Sequence, residues 1–220
     1  MLFERLIHVQ DPEPHSAALN MALDEVVLTN AREPMVRMYR WERAAVSFGY
    51  FGKYAAIASA WPGRDLVRRM TGGGVVPHGE DITYSLIAPA GHAFAEQAPR
   101  EIYRAVHESV ATLLVSVGAT PEFASAPRQA GSGVCFESPA EFDLLADGRK
   151  IAGAALRRNR FGLLLQGSLQ TVTASEFVRS RLPKAFAAHV VAKEISPVEF
   201  AEAESLARSK YATREWTERV

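Results

Sequence analysis

The chain has 220 residues, of which 48% are hydrophobic and 23% charged, with 25 Lys and Arg balanced by 25 Asp and Glu. This is ordinary globular composition, sufficient for one good-sized core or at most two small ones, and it argues against a disordered chain. Zero net charge excludes a chain-wide affinity for nucleic acid or for anionic membrane, and the absence of any span-length apolar run or signal-like start leads us to expect a cytoplasmic protein.

After the breaker-rich DPEP (11–14), Leu19, Ala22, Leu23, Val26 and Val27 recur at helical spacing around Asp24 and Glu25, which predicts an amphipathic helix. MVRMYRW (35–41) and AVSFGYF (45–51), rich in β-branched and aromatic residues, predict two strands. LVRRM (66–70) and DITYSLIAP (81–89) read as strands on either side of three consecutive glycines, 72–74. Such a run marks either a plain tight turn or a place where backbone approaches something closely. From Pro99, a stripe of Ile102, Val106, Val110, Leu113, Leu114 and Val117 predicts a second helix, closed by Gly118.

Residues 124–139 are small, polar and broken by Pro and Gly, and they predict a long loop containing Cys135. The chain has no other cysteine, so an internal disulfide is excluded, and a lone cysteine is most often a small buried hydrophobe. Asp147-Gly148 and Arg160-Phe161-Gly162 are turn signals that divide 142–170 into a three-stranded meander. Ser196, Pro197 and Glu199 form a helix start, so the tail reads as helical. The pattern predicts one domain over 1–220, an α/β (α+β) fold with a largely antiparallel mixed sheet flanked by helices.

Taken alone, Lys150 reads as a solvated lysine, His78 as a satisfied loop histidine, and Gln166-Gly167-Ser168 as a polar strand end. In order along the chain they form a pattern. Asn20-Met21-Ala22-Leu23-Asp24-Glu25, Arg40-Trp41 with Ser47-Phe48-Gly49-Tyr50, RRMTGGGVVPH (68–78), DITYSL, and GRKIAGAALRR with LLLQGSL together resemble the lipoate-protein ligases and octanoyltransferases, which share a catalytic domain with biotin protein ligases. The resemblance covers roughly residues 16 to 172. It implies the biotin/lipoate protein ligase-like fold and an acyl chain, octanoate or lipoate, held in a tunnel.

By the same resemblance, Lys150 lies beside the acyl carbonyl and Cys135 is the nucleophile. The substrate would be met by Arg40, Trp41, Ser47, Gly49 and Tyr50, and by Arg69, Thr71, Gly72, Gly73, Gly74, Val75, Val76 and His78. The hairpin would add Gly153, Ala154, Gln166, Gly167 and Ser168. No metal ligand is expected among these residues.

Two chemistries within the family remain open. Ligases activate lipoate with ATP and Mg, whereas cysteine-using transferases need no cofactor and take the acyl group from an acyl carrier protein or another acylated protein through a thioester. The acceptor in either case is a lipoyl-domain protein. Cys135 stands fifteen residues before Lys150 in a CF…P…GRK pattern similar to that of the transferases, and only about fifty residues follow Gln170, so no C-terminal accessory domain is expected. Gly52, Pro77 and Phe142-Asp143 depart from the residues common in relatives, and a structural cysteine or a non-catalytic acyl-binding module are the remaining readings. Between Arg149 and Arg160 five cations and no acid suggest a docking patch, formed in part by Arg157 and Arg158.

Overall fold

A computed structural model describes residues 1–125, 139–170 and 175–219. In chain order the elements are β1 (Phe3–Gln10), β2 (Pro14–His15), α1 (Ala17–Asn30), β3 (Met35–Trp41), β4 (Ala45–Phe48), α2 (Tyr54–Ala60), β5 (Asp65–Arg68), β6 (Val75–Pro77), β7 (Ile82–Pro89), α3 (Ala93–Glu96) and α4 (Pro99–Val115). There follow β8 (Glu122–Phe123), β9 (Leu144–Ala146), β10 (Arg149–Asn159), β11 (Gly162–Leu169), α5 (Glu176–Phe186), β12 (Ala187–Glu194), α6 (Pro197–Leu206), a π-helical turn (Ala207–Tyr211) and α7 (Arg214–Thr217).

The strands form two sheets. The large one runs β12-β1-β3-β7-β11-β10-β9-β8, with β2 beside β3; the small one is β5-β4-β6. β12, β1 and β3 are parallel, and from β3 to β8 every pairing is antiparallel, so the sheet is mixed and mostly antiparallel as expected. Asp147 and Gly148 both take positive φ, 50° and 73°, the geometry a two-residue hairpin needs, and β10 and β11 pair from Asn159–Gly162 back to Ala152–Leu169.

Period-two alternation sorts the large sheet into two faces. Val36, Met38, Tyr84, Leu86, Leu163 and Leu165 pack with Ile102, Val106, Val110 and Leu114 of α4 and Leu182 and Phe186 of α5. On the other face Tyr39 and Trp41 meet Met21, Leu23 and Val26 of α1, while Met35, Ile87 and Leu164 meet Val27 and Leu28. The small sheet lies over this second face, and the gap between the sheets holds the site.

Several elements depart from the sequence reading. The expected strand 45–51 ends at Phe48, because the next residue turns beneath the glycine loop. That loop does not lead straight to 81–89: it first delivers β6 to the small sheet, and β7 then belongs to the large one. β1, α2, α5 and β12 were not expected; the first and last pair with each other across nearly the whole chain, and the tail is therefore not wholly helical. Among the described residues no helix is long and apolar enough to cross a membrane.

One buried ion cluster ties α1 to the large sheet. The Arg37 guanidinium is fully buried and donates to Asp24 (2.7 Å), to Asp11 (2.8 Å) and to both the side-chain and backbone oxygens of Asn20 (2.7 and 3.1 Å). Asp24 also accepts from Tyr39, Ser85 and Gln166, and so joins β3, β7 and β11 to the helix. Removing one partner of such a cluster leaves uncompensated buried charge, at a cost of about 3–5 kcal/mol. Arg37→Met should therefore lower the urea-unfolding free energy by that amount, and a loss below about 1 kcal/mol would show that the two aspartates find solvent.

Candidate functional site

The glycine loop is tightly held. Gly49 N–H donates to the Gly74 carbonyl (3.1 Å) and Tyr50 N–H to the Thr71 carbonyl (2.9 Å). A side chain at Gly49 would collide with the carbonyls of Gly72 and Gly73, and Gly73 itself sits at φ 80° against Ala155. Arg69, buried below the loop, donates to the carbonyls of Gly72 and Gly74 (both 3.0 Å) and to Ser47 Oγ (2.7 Å). Thr71 donates to Gln166 Oε1 (2.7 Å), whose amide reaches Asp24 (2.7 Å), so the loop is bound into the cluster around Arg37.

A second chain of contacts starts at Ser47, which is 2.6 Å from His78 Nε2. His78 Nδ1 lies 2.9 Å from Asp81, and Asp81 also accepts from Thr83 (2.8 Å) and Ser168 (2.6 Å). Burial alone would raise the Asp81 carboxyl, but His78 and the hydrogen bonds from His78, Ser168 and Thr83 outweigh it and hold the group below the usual carboxylate range. An ionised Asp81 can only accept, so in a neutral His78 the Nδ1 carries the hydrogen and Nε2 accepts from Ser47. Trp41 stacks on the imidazole at 4.1 Å and donates to Thr83 Oγ1 (2.8 Å), fixing the ring from behind.

Lys150 enters from the start of β10. Its Nζ is 2.7 Å from Asp143, and the pair is largely sheltered, with side-chain exposures of 12% and 4%. The aspartate also accepts from Ala140 N–H (2.6 Å). Burial raises the Asp143 carboxyl, and the opposing pull of Lys150 does not fully offset it. The aliphatic end of Lys150 lies flat over Gly153, where a Cβ would meet Nζ at 2.6 Å. Tyr84 covers Gly167 in the same way.

Between the sheets these groups enclose a cavity of about 270 Å³. That is just below the usual range for ligand pockets, about 300–1,000 Å³, and suits a slim ligand. Val75, Val76, Ala154 and Ala155 give it apolar wall, and Ser47, Arg69, His78, Gln166, Ser168 and Lys150 face it with polar groups. Gly73, Gly74, Gly153 and Gly167 complete the expected part of the lining.

The remaining expected residues stand further out. Trp41 backs His78, while Gly49, Thr71 and Gly72 hold the loop rather than line the cavity. Tyr50 faces outward between Arg157 and Arg219, and Arg40 lies outside, paired with Glu176 at 2.7 Å. Cys135 lies outside the described residues. Tyr39, Thr83, Ala140, Asp143 and Ala155 line the cavity but were not singled out from the sequence. Alternation back from Trp41 to Tyr39 could have found the first, whereas Asp143 precedes β9 and lies outside the hairpin register, in which Leu145 faces Lys150, so no pairing rule pointed to it. The expected basic patch is split: Arg157 stacks on Tyr50 on the cavity face of β10, whereas Arg158 donates to the Gln97 carbonyl on the α4 side.

The family described as the lipoyl protein ligase A/B catalytic domain matches residues 16–210. The chain is 36% identical to octanoyltransferase LipM of Oceanobacillus iheyensis, over 71% of this chain and 60% of that one, and 34% identical to the Staphylococcus aureus LipM, over 68% and 60%. It thus spans about 60% of the length of these relatives. The LipM of Bacillus anthracis is 27% identical over 91% of this chain and 94% of its own. Two structures share the fold: a lipoate protein ligase of T. acidophilum with bound lipoic acid (TM-score 0.76, 21% identity, 99% of both chains), and the bipartite lipoate protein ligase of Thermoplasma acidophilum with its E2 lipoyl domain (TM-score 0.74, 20% identity, 98% and 96% coverage).

Behind the Lys150–Asp143 pair, α4 buries His107, whose ring has the Phe142 backbone near it but no well-formed hydrogen bond at either nitrogen. Burial, and secondarily the charge of Lys150, lowers it from 6.5 to about 4. The unfolded chain then binds a proton that the folded chain refuses between those two values, so stability falls as pH falls from 6.5 to 4. Across that interval the loss grows to roughly 3 kcal/mol at the acid end. His107→Leu should remove that share of the acid limb in urea unfolding at pH 7 and pH 4.5; parallel losses in variant and wild type would show that His107 is not its source.

Proposed function

The chain belongs to the lipoyl protein ligase A/B catalytic-domain family, and from the site it carries we propose that it is an acyltransferase of protein lipoylation, moving an octanoyl or lipoyl group onto a lysine of a lipoyl-domain protein. The observation that carries this reading is the Lys150–Asp143 pair, laid over Gly153 at the wall of a narrow, apolar-sided cavity closed by the glycine loop. The cavity takes the acyl chain against Val75, Val76, Ala154 and Ala155. Lys150, oriented by Asp143, meets the carbonyl with a fixed positive charge, where developing negative charge is greatest.

In this reading the Cys135 thiolate attacks the donor's thioester carbonyl, the carbon–sulfur bond of the donor breaks, and the donor leaves as a thiolate, which solvent protonates. The acceptor lysine's neutral amine then attacks the enzyme thioester, forms the amide with loss of a proton, and releases the Cys135 thiolate. A neighbouring cation such as Lys150 favours the thiolate. The sequence supports Cys135 through its spacing to Lys150 and its place just before the Ala140–Asp143 segment that borders the cavity. The donor we assign is an acyl carrier protein or another acylated protein, and no cofactor is consumed. A ligase route through an acyl adenylate is the competing reading, since a fold neighbour is a lipoate-protein ligase bound with ATP.

Incubated with octanoylated carrier protein and no ATP, the wild type should gain one octanoyl group by intact mass and Cys135→Ala none. Unimpaired transfer by Cys135→Ala would remove the enzyme thioester from the reaction, and turnover only with free acid and ATP would establish the ligase route instead. Lys150→Ala and Gly153→Ala should each lower the transfer rate more than tenfold with far-UV circular dichroism unchanged, since losing one such donor costs about 3 kcal/mol of transition-state stabilisation.

A further inference from the structure

Arg68, only 1% exposed, directs its whole guanidinium at backbone carbonyls. Nη1 donates to Tyr50 (2.7 Å) and Gly52 (2.8 Å), Nε to Trp216 (3.0 Å), and Nη2 to Thr217 (3.0 Å) and Arg219 (2.7 Å). The turn 50–52 is thus pinned on one side by residues 216–219 and on the other by the glycine loop, through the backbone bonds of Gly49 and Tyr50. At its centre stands Phe51, 85% exposed. Single exposed apolar side chains are commonplace. Here, however, the carbonyls on both sides of the aromatic ring are clamped by a buried arginine, so the ring is presented on backbone with little freedom to withdraw.

Its surroundings have the composition of an interface centre. The Tyr50 ring meets Phe51 edge-on at 5.1 Å, and Arg157 and Arg219 lie over that same Tyr50 ring at 5.0 and 4.2 Å. Lys53 follows, exposed, and α2 then buries only Ile57 while turning Ala55, Ala56 and Ala60 outward. No charged residue occurs between Lys53 and Arg64. Aromatic and arginine side chains together are the types enriched in binding hot spots, and a rim of cations selects an acidic partner. The patch also borders the site: Arg157 lies two residues beyond the cavity-lining Ala155 on the same face of β10, about 7 Å along the strand.

We propose that Phe51, with Arg157 and Arg219 beside it, is the surface on which the acyl-accepting protein docks, and that this partner presents carboxylates around an apolar recess. The inference rests on the acceptor reading above. The test is to titrate a fluorescently labelled, unmodified lipoyl domain with the full chain and read the Kd by anisotropy, for the wild type, Phe51→Ser and Arg157→Glu. Phe51→Ser should weaken binding tenfold or more at every salt concentration. Arg157→Glu should weaken it severalfold at low salt, and the difference should vanish near 1 M, where the Debye length is about 3 Å. Acylation of Cys135 by a small octanoyl thioester should be the same in all three. Equal Kd values across the set, or no binding by the wild type, would overturn the docking surface. Binding that depends on Phe51 in a wild type that no octanoyl thioester acylates would overturn the transferase reading and leave the docking surface standing.

Discussion

A charged helix residue taken fully out of water needs partners on every side, and Asp24 shows how far that requirement reaches. Its carboxylate is met by Arg37, Tyr39, Ser85 and Gln166, side chains from three neighbouring strands. Gln166 passes the connection to Thr71, and Arg69 couples the loop to Ser47, His78 and Asp81. A buried polar network of this kind is stable only if every member is satisfied, and a partly satisfied one is worse than an apolar core. The position of the glycine loop is therefore set by the same hydrogen bonds that dock α1, and loop and core share one geometry.

Small residues then make room for chemistry inside that frame. Gly153 and Gly167 let Lys150 and Tyr84 lie flat against the sheet, and Gly49 lets the glycine-loop carbonyls come down onto β4's end. Each vacancy where a Cβ would be is filled by a specific side chain or carbonyl, so these glycines act as sockets. The cavity between the sheets is the remainder, and each sheet gives it both polar groups, such as Ser47 and Gln166, and short aliphatic wall, such as Val75 and Ala155.

Much of this was legible in the sequence because it depends on local pattern. α1, α4, the two turns of the meander and the ordered glycine, histidine and lysine motifs are written in periodicity and turn chemistry. What escaped depends on distant pairing. β1 and β12 are half-polar strands whose pairing partner is at the other end of the chain, and β6 is three residues long, too short to alternate visibly. Tyr39 and Thr83 carry no signal of their own beyond a strand pattern, and Asp143 enters the site through its ion pair with Lys150, which the sequence does not announce. The charge run 149–160 misled in the opposite direction: adjacent arginines on a strand point to opposite faces, so proximity in sequence did not make a patch.

The pairing of β1 with β12 also has a bearing on synthesis. Residues 3–10 leave the ribosome well ahead of their outer neighbour on the sheet, 187–194, and the carbonyls of Trp216, Thr217 and Arg219 that receive Arg68 come later still. At the usual pace of about 5–20 residues per second, the first strand waits roughly ten to forty seconds with one edge open. Contacts of such long sequence separation slow folding and leave strand edges exposed to wrong partners meanwhile. The adjacent Glu4 and Arg5 and the terminal Gln10 of that strand are the kind of polar content that discourages edge-to-edge association while the edge is unpaired.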